Sequence, residues 1–159
     1  SAMQIRRSSN LNCINSVAIG WPIGLIVDGE KGETVKNAKE GKFKLQNVYF
    51  AGMDAVGTDA NKKYEDYLYD AANKKDLDKN QKSYSNTFFF SEPSNKYFDS
   101  WVSLVGADGY TPIAGSPLLG AASFAGWTGF DTVTYIGAFD GSTNWMSGWT
   151  NFDPQNAKY

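Results

Sequence analysis

The residue types that could do chemistry are limited, because the chain has no histidine and a single cysteine, Cys13. Nucleophiles that are activated by histidine are therefore excluded, which removes the Ser-His-Asp and Cys-His mechanisms. The absence of histidine also removes most zinc sites. A single cysteine excludes an internal disulfide. Catalysis would have to rest on Asp, Glu, Lys, Arg or Tyr.

Paired carboxylates are the next candidates, because two of them can hydrolyse a glycosidic bond. Four acidic residues lie in or beside the part of the chain that is richest in strand-forming residues: Asp28, Glu30, Glu33 and Asp54. Turn chemistry explains them without catalysis, since Asp favours turns and Asp28 directly precedes a glycine. Eliminative cleavage would need Arg or Lys near an acidic group of the substrate, and the only arginines are Arg6 and Arg7. We therefore expect no catalytic residues and no cofactor.

One stretch has the spacing of a calcium loop, with oxygen-bearing side chains at Asp76, Asp78 and Asn80. A full loop of this kind needs Gly at its sixth position and Glu at its twelfth. Those positions hold Gln81 and Thr87. The stretch is therefore interpreted as a charged loop, and no metal site is expected.

Aromatic residues make up 15% of the chain, and three tryptophans near its end are candidate ligand-binding residues: Trp127, Trp145 and Trp149. Together with Tyr135 and Phe139 they could form a face on which sugar rings stack, since aromatic planes bury apolar surface. The other interpretation is a hydrophobic cap that closes the end of a stack of strands. We favour the cap, which predicts that Trp145 and Trp149 are mostly buried and that Trp149→Ala strongly lowers the melting temperature.

Composition and charge restrict the class of protein. A chain of 159 residues is the size of one domain. Its net charge of −2 gives no basic excess for nucleic acid. Residues 83–159 hold two basic and six acidic groups, a net charge of −4 that disfavours an anionic partner there. No run of apolar residues is long enough to span a membrane.

Short strands separated by turn residues are predicted for the first third of the chain. We expect strands at residues 12–19 and 23–28 with a bend at 20–22, and a polar turn at 28–32. Residues 34–39 suggest a weak helix or an irregular loop. The clearest strand covers residues 42–52, where the hydrophobic alternation breaks and predicts a bend at Gln46-Asn47.

Asparagines at such bends can stack on one another in successive coils of strands, and Asn12, Asn15 and Asn47 are the candidates, although asparagine is also a common turn residue. Helical spacing predicts a helix at residues 60–73, followed by a charged stretch to 82, and a second helix at 94–104 that Ser94 would cap. Residues 88–90 suggest a short strand or an anchor.

Two segments resemble known proteins. The phrase Gly115-Ser116-Pro117-Leu118-Leu119-Gly120-Ala121-Ala122 resembles one found near the end of right-handed parallel β-helix proteins. Residues 135–154, with Trp145 and Trp149, resemble the last segment of large bacterial surface or secreted proteins of unknown function. The resemblance implies an architecture and a location outside the cell or at its outer membrane. It implies no catalytic residue.

These observations predict a mainly β fold: the C-terminal portion of a right-handed parallel β-helix, with one or two packed helices and an aromatic cap. The alternative is an α+β fold with an antiparallel sheet or sandwich. We expect residues 1–3 to be a cloning scar and residues 4–159 to be one domain from a longer protein. The predicted function is a non-catalytic structural or interaction module whose partners are the rest of that protein and, in the alternative, polysaccharide. That alternative is the end of a carbohydrate-active enzyme or glycan-binding protein.

Overall fold

The computed structural model describes residues 1–58, 83–151 and 153–157. These residues form six short strands, two short helices and one 3-10 turn. The strands are β1 (Met3–Ile5), β2 (Cys13–Ile19), β3 (Ile23–Val27), β4 (Leu45–Ala51), β5 (Ala55–Thr58) and β6 (Lys96–Phe98). The helices are α1 (Thr34–Lys39) and α2 (Tyr84–Phe90), and the 3-10 turn is Pro154–Asn156.

The strands form two parallel sheets of three. The first sheet has the order β1-β3-β5 and the second has the order β2-β4-β6. Successive strands alternate between the sheets, because the chain bends at Gly20 after β2 and at Gly52 after β4, both with positive φ. Leu25 lies opposite Gly57 in the first sheet and Cys13 opposite Leu45 in the second, so both pairings join residues 32 positions apart.

The predicted right-handed parallel β-helix is wrong. The strands form two separate three-stranded sheets, and no closed or solenoid sheet is seen in the described residues. The alternative does not fit either, since the sheet strands pair in parallel and the antiparallel pairing seen is an isolated bridge between Val105 and Pro112. One physical reason is that glycines with positive φ recur from Gly109 to Gly148 and break extended structure.

Several predicted elements are confirmed. The strands expected at 12–19 and 23–28 are β2 and β3. Of the two alternatives for residues 34–39, the structure has the helix, α1. The bend expected near Asn47 is also present, because this residue has a left-handed φ of 59° within β4. Asn47 shifts the alternation of side chains between the two faces of β4 by one position, so that Leu45, Val48 and Phe50 all enter the same core.

Other predictions are wrong or lie outside the described residues. Residues 94–104 contain β6 and turns instead of a helix, because the Ser94 hydroxyl accepts a hydrogen bond from Asn47 N (2.8 Å) and so joins β4. Residues 88–90 are the end of α2, whose cap is Ser83, which accepts from Asn86 N at 3.0 Å. The helix expected at 60–73 and the calcium-like stretch at 76–80 lie outside the described residues.

The first core is built by both sheets and α2. Phe50 of β4 and Phe89 of α2 are fully buried and stack with ring centroids 4.7 Å apart. The helix lies directly on β5, because a Cβ added to Gly57 would come within 2.5 Å of Asn86 N. The Ser85 hydroxyl accepts a hydrogen bond from Val27 N of β3 at 2.9 Å. Helix α2 therefore covers the first sheet and contributes to its hydrogen bonding.

Two of the three asparagines expected to stack do so. Asn47 Nδ2 donates to Asn15 Oδ1 at 2.7 Å across the β2–β4 pair, and both residues have left-handed φ. Asn47 Nδ2 also donates to the Ala121 carbonyl at 2.7 Å, and Asn15 exchanges two bonds with the Ser123 backbone, each 3.0 Å. Asn12 instead accepts from Lys44 N. The paired asparagines therefore join the second sheet to the segment around residue 121.

We expect Asn47→Ala to destabilise the protein by roughly 2–6 kcal/mol, measured by denaturant unfolding. Asn47 is 4% exposed, so the loss of its side chain removes a donor from the part-buried oxygens of Asn15 and Ala121, at about 1–3 kcal/mol. Alanine also tolerates a left-handed φ poorly, at a cost of about 1–3 kcal/mol. Asn47→Gly also loses these hydrogen bonds, but glycine adopts a left-handed φ without strain. Its unfolding free energy should therefore lie between those of the wild type and of Asn47→Ala. Asn12→Ala, which removes one exposed bond, is the control, and an equal loss in both alanine variants would contradict the argument.

A second prediction concerns the stack of Phe50 on Phe89. Phe89→Ala should cost about 3–5 kcal/mol of unfolding free energy, because it opens a cavity in the first core. The neighbouring Phe90 is the same residue type on the same helix but is 48% exposed. Phe90→Ala should therefore cost much less. If thermal unfolding placed the two variants at the same midpoint, α2 would not be packed as described.

Candidate functional site

The C-terminal segment, residues 99–157, lies against the second sheet and forms the second core. Tyr49 and Ala51 of β4 point to the face opposite Val48 and Phe50 and pack with buried residues of that segment: Leu104, Val105, Leu118 and Ile136. Strand β4 is therefore covered on both faces. The C-terminal segment has almost no regular structure of its own, so its position depends on these contacts.

The C-terminal segment also approaches the edge strand β2. Gly137 N donates to the Asn15 carbonyl at 2.9 Å, and Ile136 N donates to the Leu118 carbonyl at 2.9 Å. Gly137 has a φ of 94°, and an added Cβ would come within 2.8 Å of the Val17 side chain. Only glycine fits this contact without strain.

A groove opens between β2 and the C-terminal segment, with a volume of about 460 Å³. Its apolar floor comes from both sides: Val17, Ile19, Val105, Leu118 and Ile136. Its rim includes Tyr110 and Phe139. The groove is an open depression of the size that small ligands occupy.

Four aromatic side chains continue from this rim and are named here the aromatic stack: Tyr110, Phe139, Trp145 and Trp149. Tyr110 and Phe139 have ring centroids 5.1 Å apart, Phe139 and Trp145 are 5.7 Å apart at 15°, and Trp145 and Trp149 are 5.7 Å apart at 35°. Exposure increases from Phe139 to Trp149, since Phe139 is 7% exposed, Trp145 50% and Trp149 68%.

The indole N–H groups of the aromatic stack are already satisfied. Trp145 Nε1 donates to the Ala138 carbonyl at 2.9 Å, and Trp149 Nε1 donates to the Trp145 carbonyl at 2.7 Å. These bonds fix each ring relative to the backbone. The indoles therefore offer apolar surface to the solvent without an unpaired donor.

Aspartates hold the turns that carry the aromatic stack. Asp140 Oδ1 accepts from Thr143 N at 2.7 Å and from Ser142 N at 2.8 Å, directly after Phe139. Asp108 Oδ1 accepts from Tyr110 N and Thr111 N, each at 3.0 Å.

These bonds change the acidity of both groups. Hydrogen bonds from the Thr143 and Ser142 backbone lower the pKa of Asp140, and the side-chain and backbone bonds of Thr111 lower the pKa of Asp108. Both carboxylates are therefore charged well into the acidic range.

Trp127 does not join the other two candidate tryptophans. Its indole Nε1 donates to Gln46 Oε1 of β4 at 2.9 Å, and Gln46 Nε2 donates to the Ala125 carbonyl at 3.3 Å. The ring is half-buried beside the second sheet. Trp127 is therefore held by strand β4, and the site is built on Trp145 and Trp149.

The prediction that Trp145 and Trp149 are mostly buried as a cap is wrong. Buried aliphatic residues of the second core already cover the sheet, so the indoles stack on Phe139 and on each other above it. Sequence reasoning found Phe139 but missed Tyr110. The Asp108-Gly109 pair predicts a turn there, but nothing in the sequence shows that residues 110 and 139 meet.

Two of the four carboxylates considered as catalytic candidates, Asp28 and Glu33, have structural partners. Asp28 is 2% exposed and accepts from Gln4 Nε2 at 3.0 Å and from Glu30 N at 2.9 Å, with Arg6 Nε 3.4 Å away. Glu33 forms an exposed ion pair with Lys36. Asp28 and Arg6 therefore have a structural role at the end of the first sheet.

Within the described part of the chain, no group of three or more His, Cys, Asp or Glu side chains is placed to hold a metal ion. No helix among the same residues has the length and apolar character needed to cross a membrane. Comparison with known proteins gives no match to a family model, a curated protein or a solved structure. The candidate site is therefore interpreted from its own geometry.

Trp149→Ala should leave the unfolding free energy within about 1 kcal/mol of the wild-type value, because most of the side chain is in solvent. Ile136→Ala removes a fully buried side chain from the second core and should cost about 2–5 kcal/mol. Both are measured by denaturant titration. A Trp149→Ala loss as large as that of Ile136→Ala would restore the cap interpretation.

Proposed function

We propose that this chain is a non-catalytic binding module that holds polysaccharide on the aromatic stack. The observation that carries the proposal is the pair of neighbouring indoles, Trp145 and Trp149, half and two-thirds exposed, with their N–H groups bonded inward. Pyranose rings have apolar C–H faces that bury well against such planes.

The surroundings of the indoles support this assignment. Large aromatic side chains are normally buried, and exposed apolar patches mark sites of interaction. The aromatic stack leads from Trp149 to Tyr110 and Phe139, which line the groove beside β2. A chain-like ligand could therefore lie along the indoles and place one end in the groove.

We place the function outside the cell, as part of a bacterial surface or secreted protein. The support is the sequence resemblance of residues 135–154, the segment that carries Phe139, Trp145 and Trp149. Structural polysaccharides are also ligands that a protein meets mainly outside the cytoplasm.

Affinity gel electrophoresis with soluble cellulose, xylan and chitin derivatives tests the proposal. We expect at least one polymer to retard the protein. Trp149→Ala and Trp145→Ala should each weaken that binding, because the apolar surface that one stacked indole buries contributes roughly 1.5–3 kcal/mol to the binding free energy. This corresponds to about a ten- to hundredfold increase in Kd.

The matched control is Trp21→Ala. Trp21 is 48% exposed, as Trp145 is 50% exposed, but it lies at the bend between β2 and β3. Its replacement should leave the retardation unchanged. Retardation that survives in Trp149→Ala and Trp145→Ala, or retardation by none of the polymers, would contradict the proposal.

A protein contact is the second candidate function. A further set of exposed apolar side chains lies near the bends of the sheets, where Trp101 is in contact distance of Gly52: Trp21, Trp101 and Val102. This surface could hold another part of a longer chain. If none of the polymers retards the protein, the protein contact becomes the better function.

A further inference from the structure

The charge around the aromatic stack carries information about the ligand. Residues 99–157 contain five aspartates and no Glu, Lys, Arg or His. Two of these aspartates flank the inner end of the aromatic stack, since Asp108 lies two residues before Tyr110 and Asp140 directly follows Phe139. Within the described residues of this segment, every charged side chain is therefore negative, and two of them lie beside the inner end of the aromatic stack.

These two charges persist in the folded protein. Asp108 is exposed and Asp140 is partly exposed, and both accept backbone N–H bonds through Oδ1, which favours the ionised form. Among the residues that the structure describes, no lysine or arginine contributes to the lowered pKa of either group. The aspartates thus hold their turns and keep their negative charge available to a ligand.

Stacked aromatic rings and carboxylates attract the same kind of group. The face of an indole has a negative potential and binds cations, most strongly where water is displaced. A nearby carboxylate adds attraction for a positive charge and repels a negative one. A sugar that carries a protonated amine satisfies both, because its C–H face can stack while its ammonium group lies near the aspartates.

We infer that the aromatic stack selects positively charged amino-sugar polymers over neutral and acidic ones, with Asp108 and Asp140 as the residues that set this preference. The inference rests on the proposed function, because it names the class of polysaccharide that the same site takes. The aromatic stack supplies affinity for sugar rings in general, and the two aspartates supply the discrimination.

Isothermal titration calorimetry with oligomers of equal length separates these contributions. The probes are β-1,4-linked glucosamine, the same oligomer fully N-acetylated, and an oligogalacturonate. At about pH 5 the aspartates are ionised and the amines are protonated. We expect the glucosamine oligomer to bind at least about tenfold more tightly than its acetylated form, and the oligogalacturonate not to bind. High salt should reduce the difference in affinity between the glucosamine oligomer and its acetylated form.

Charge-removing variants test the role of the aspartates. Asp140→Asn and Asp108→Asn keep a side-chain oxygen for the turn, so the fold should be retained. Each should weaken glucosamine binding several-fold and leave binding of the acetylated oligomer unchanged. Glu30→Gln is the control, because it removes the same charge from an exposed turn beside the first sheet.

The outcomes distinguish the inference from the proposed function. Equal, Trp149-dependent binding of the two glucosamine oligomers overturns the inference and leaves polysaccharide binding intact. No binding of any of the three oligomers overturns the inference, and the proposed function falls with it only if the cellulose and xylan derivatives also fail to retard the protein. Glucosamine binding that is unchanged in Trp149→Ala, or is matched by a lysine oligopeptide of equal charge, overturns the inference because it shows attraction by charge alone.

Discussion

The structure depends most on the amide of Asn47. One side-chain nitrogen, inside a strand whose backbone turns left-handed at this residue, bonds both Asn15 in the neighbouring strand and the Ala121 carbonyl in the C-terminal segment. The first bond fixes the register of β2 against β4. The second helps to attach a segment that has little regular structure, together with the bonds of Asn15 to Ser123 and of Gln46 to Trp127. A buried amide with both donors used is costly to replace, so sheet and segment are specified together.

This arrangement lets one strand serve two cores. The left-handed residue shifts the alternation of β4, so that Leu45, Val48 and Phe50 enter the core beneath α2, and Tyr49 and Ala51 enter the core beneath the C-terminal segment. Each core is small, and neither sheet alone could bury enough surface to be stable. Because the second core is filled by aliphatic residues of the segment, the tryptophans that follow are not needed inside.

The sequence predicted well what depends on neighbouring residues. The broken alternation at Gln46-Asn47, the bend at Gly20 and the short helix of residues 34–39 are local signals, and all three are present.

Elements whose structure depends on contacts with distant parts of the chain were predicted poorly. Asn95 shows why residues 94–104 are not helical: its side chain bonds Val48 N, Leu45 O and Phe89 O, so strand pairing and α2 together override a helical hydrophobic pattern. The sequence identified part of the candidate site, because Trp145 and Trp149 stand out in the composition. It did not predict that they are exposed, because their burial depends on which other residues fill the core.

The same reasoning explains why exposed aromatic residues can persist on this surface. An indole that is not required for the core contributes little to stability, and neighbouring exposed apolar side chains are typical of a surface that makes contacts. The turns beneath the aromatic stack are also more elaborate than a surface loop requires, since Asp140, Asn144 and Asp153 each bond backbone N–H groups or a neighbouring amide. These bonds reduce the conformational freedom of the segment before any ligand arrives. A surface whose aromatic planes are fixed in advance loses less entropy on binding, which favours recognition of a stiff, repeating polymer.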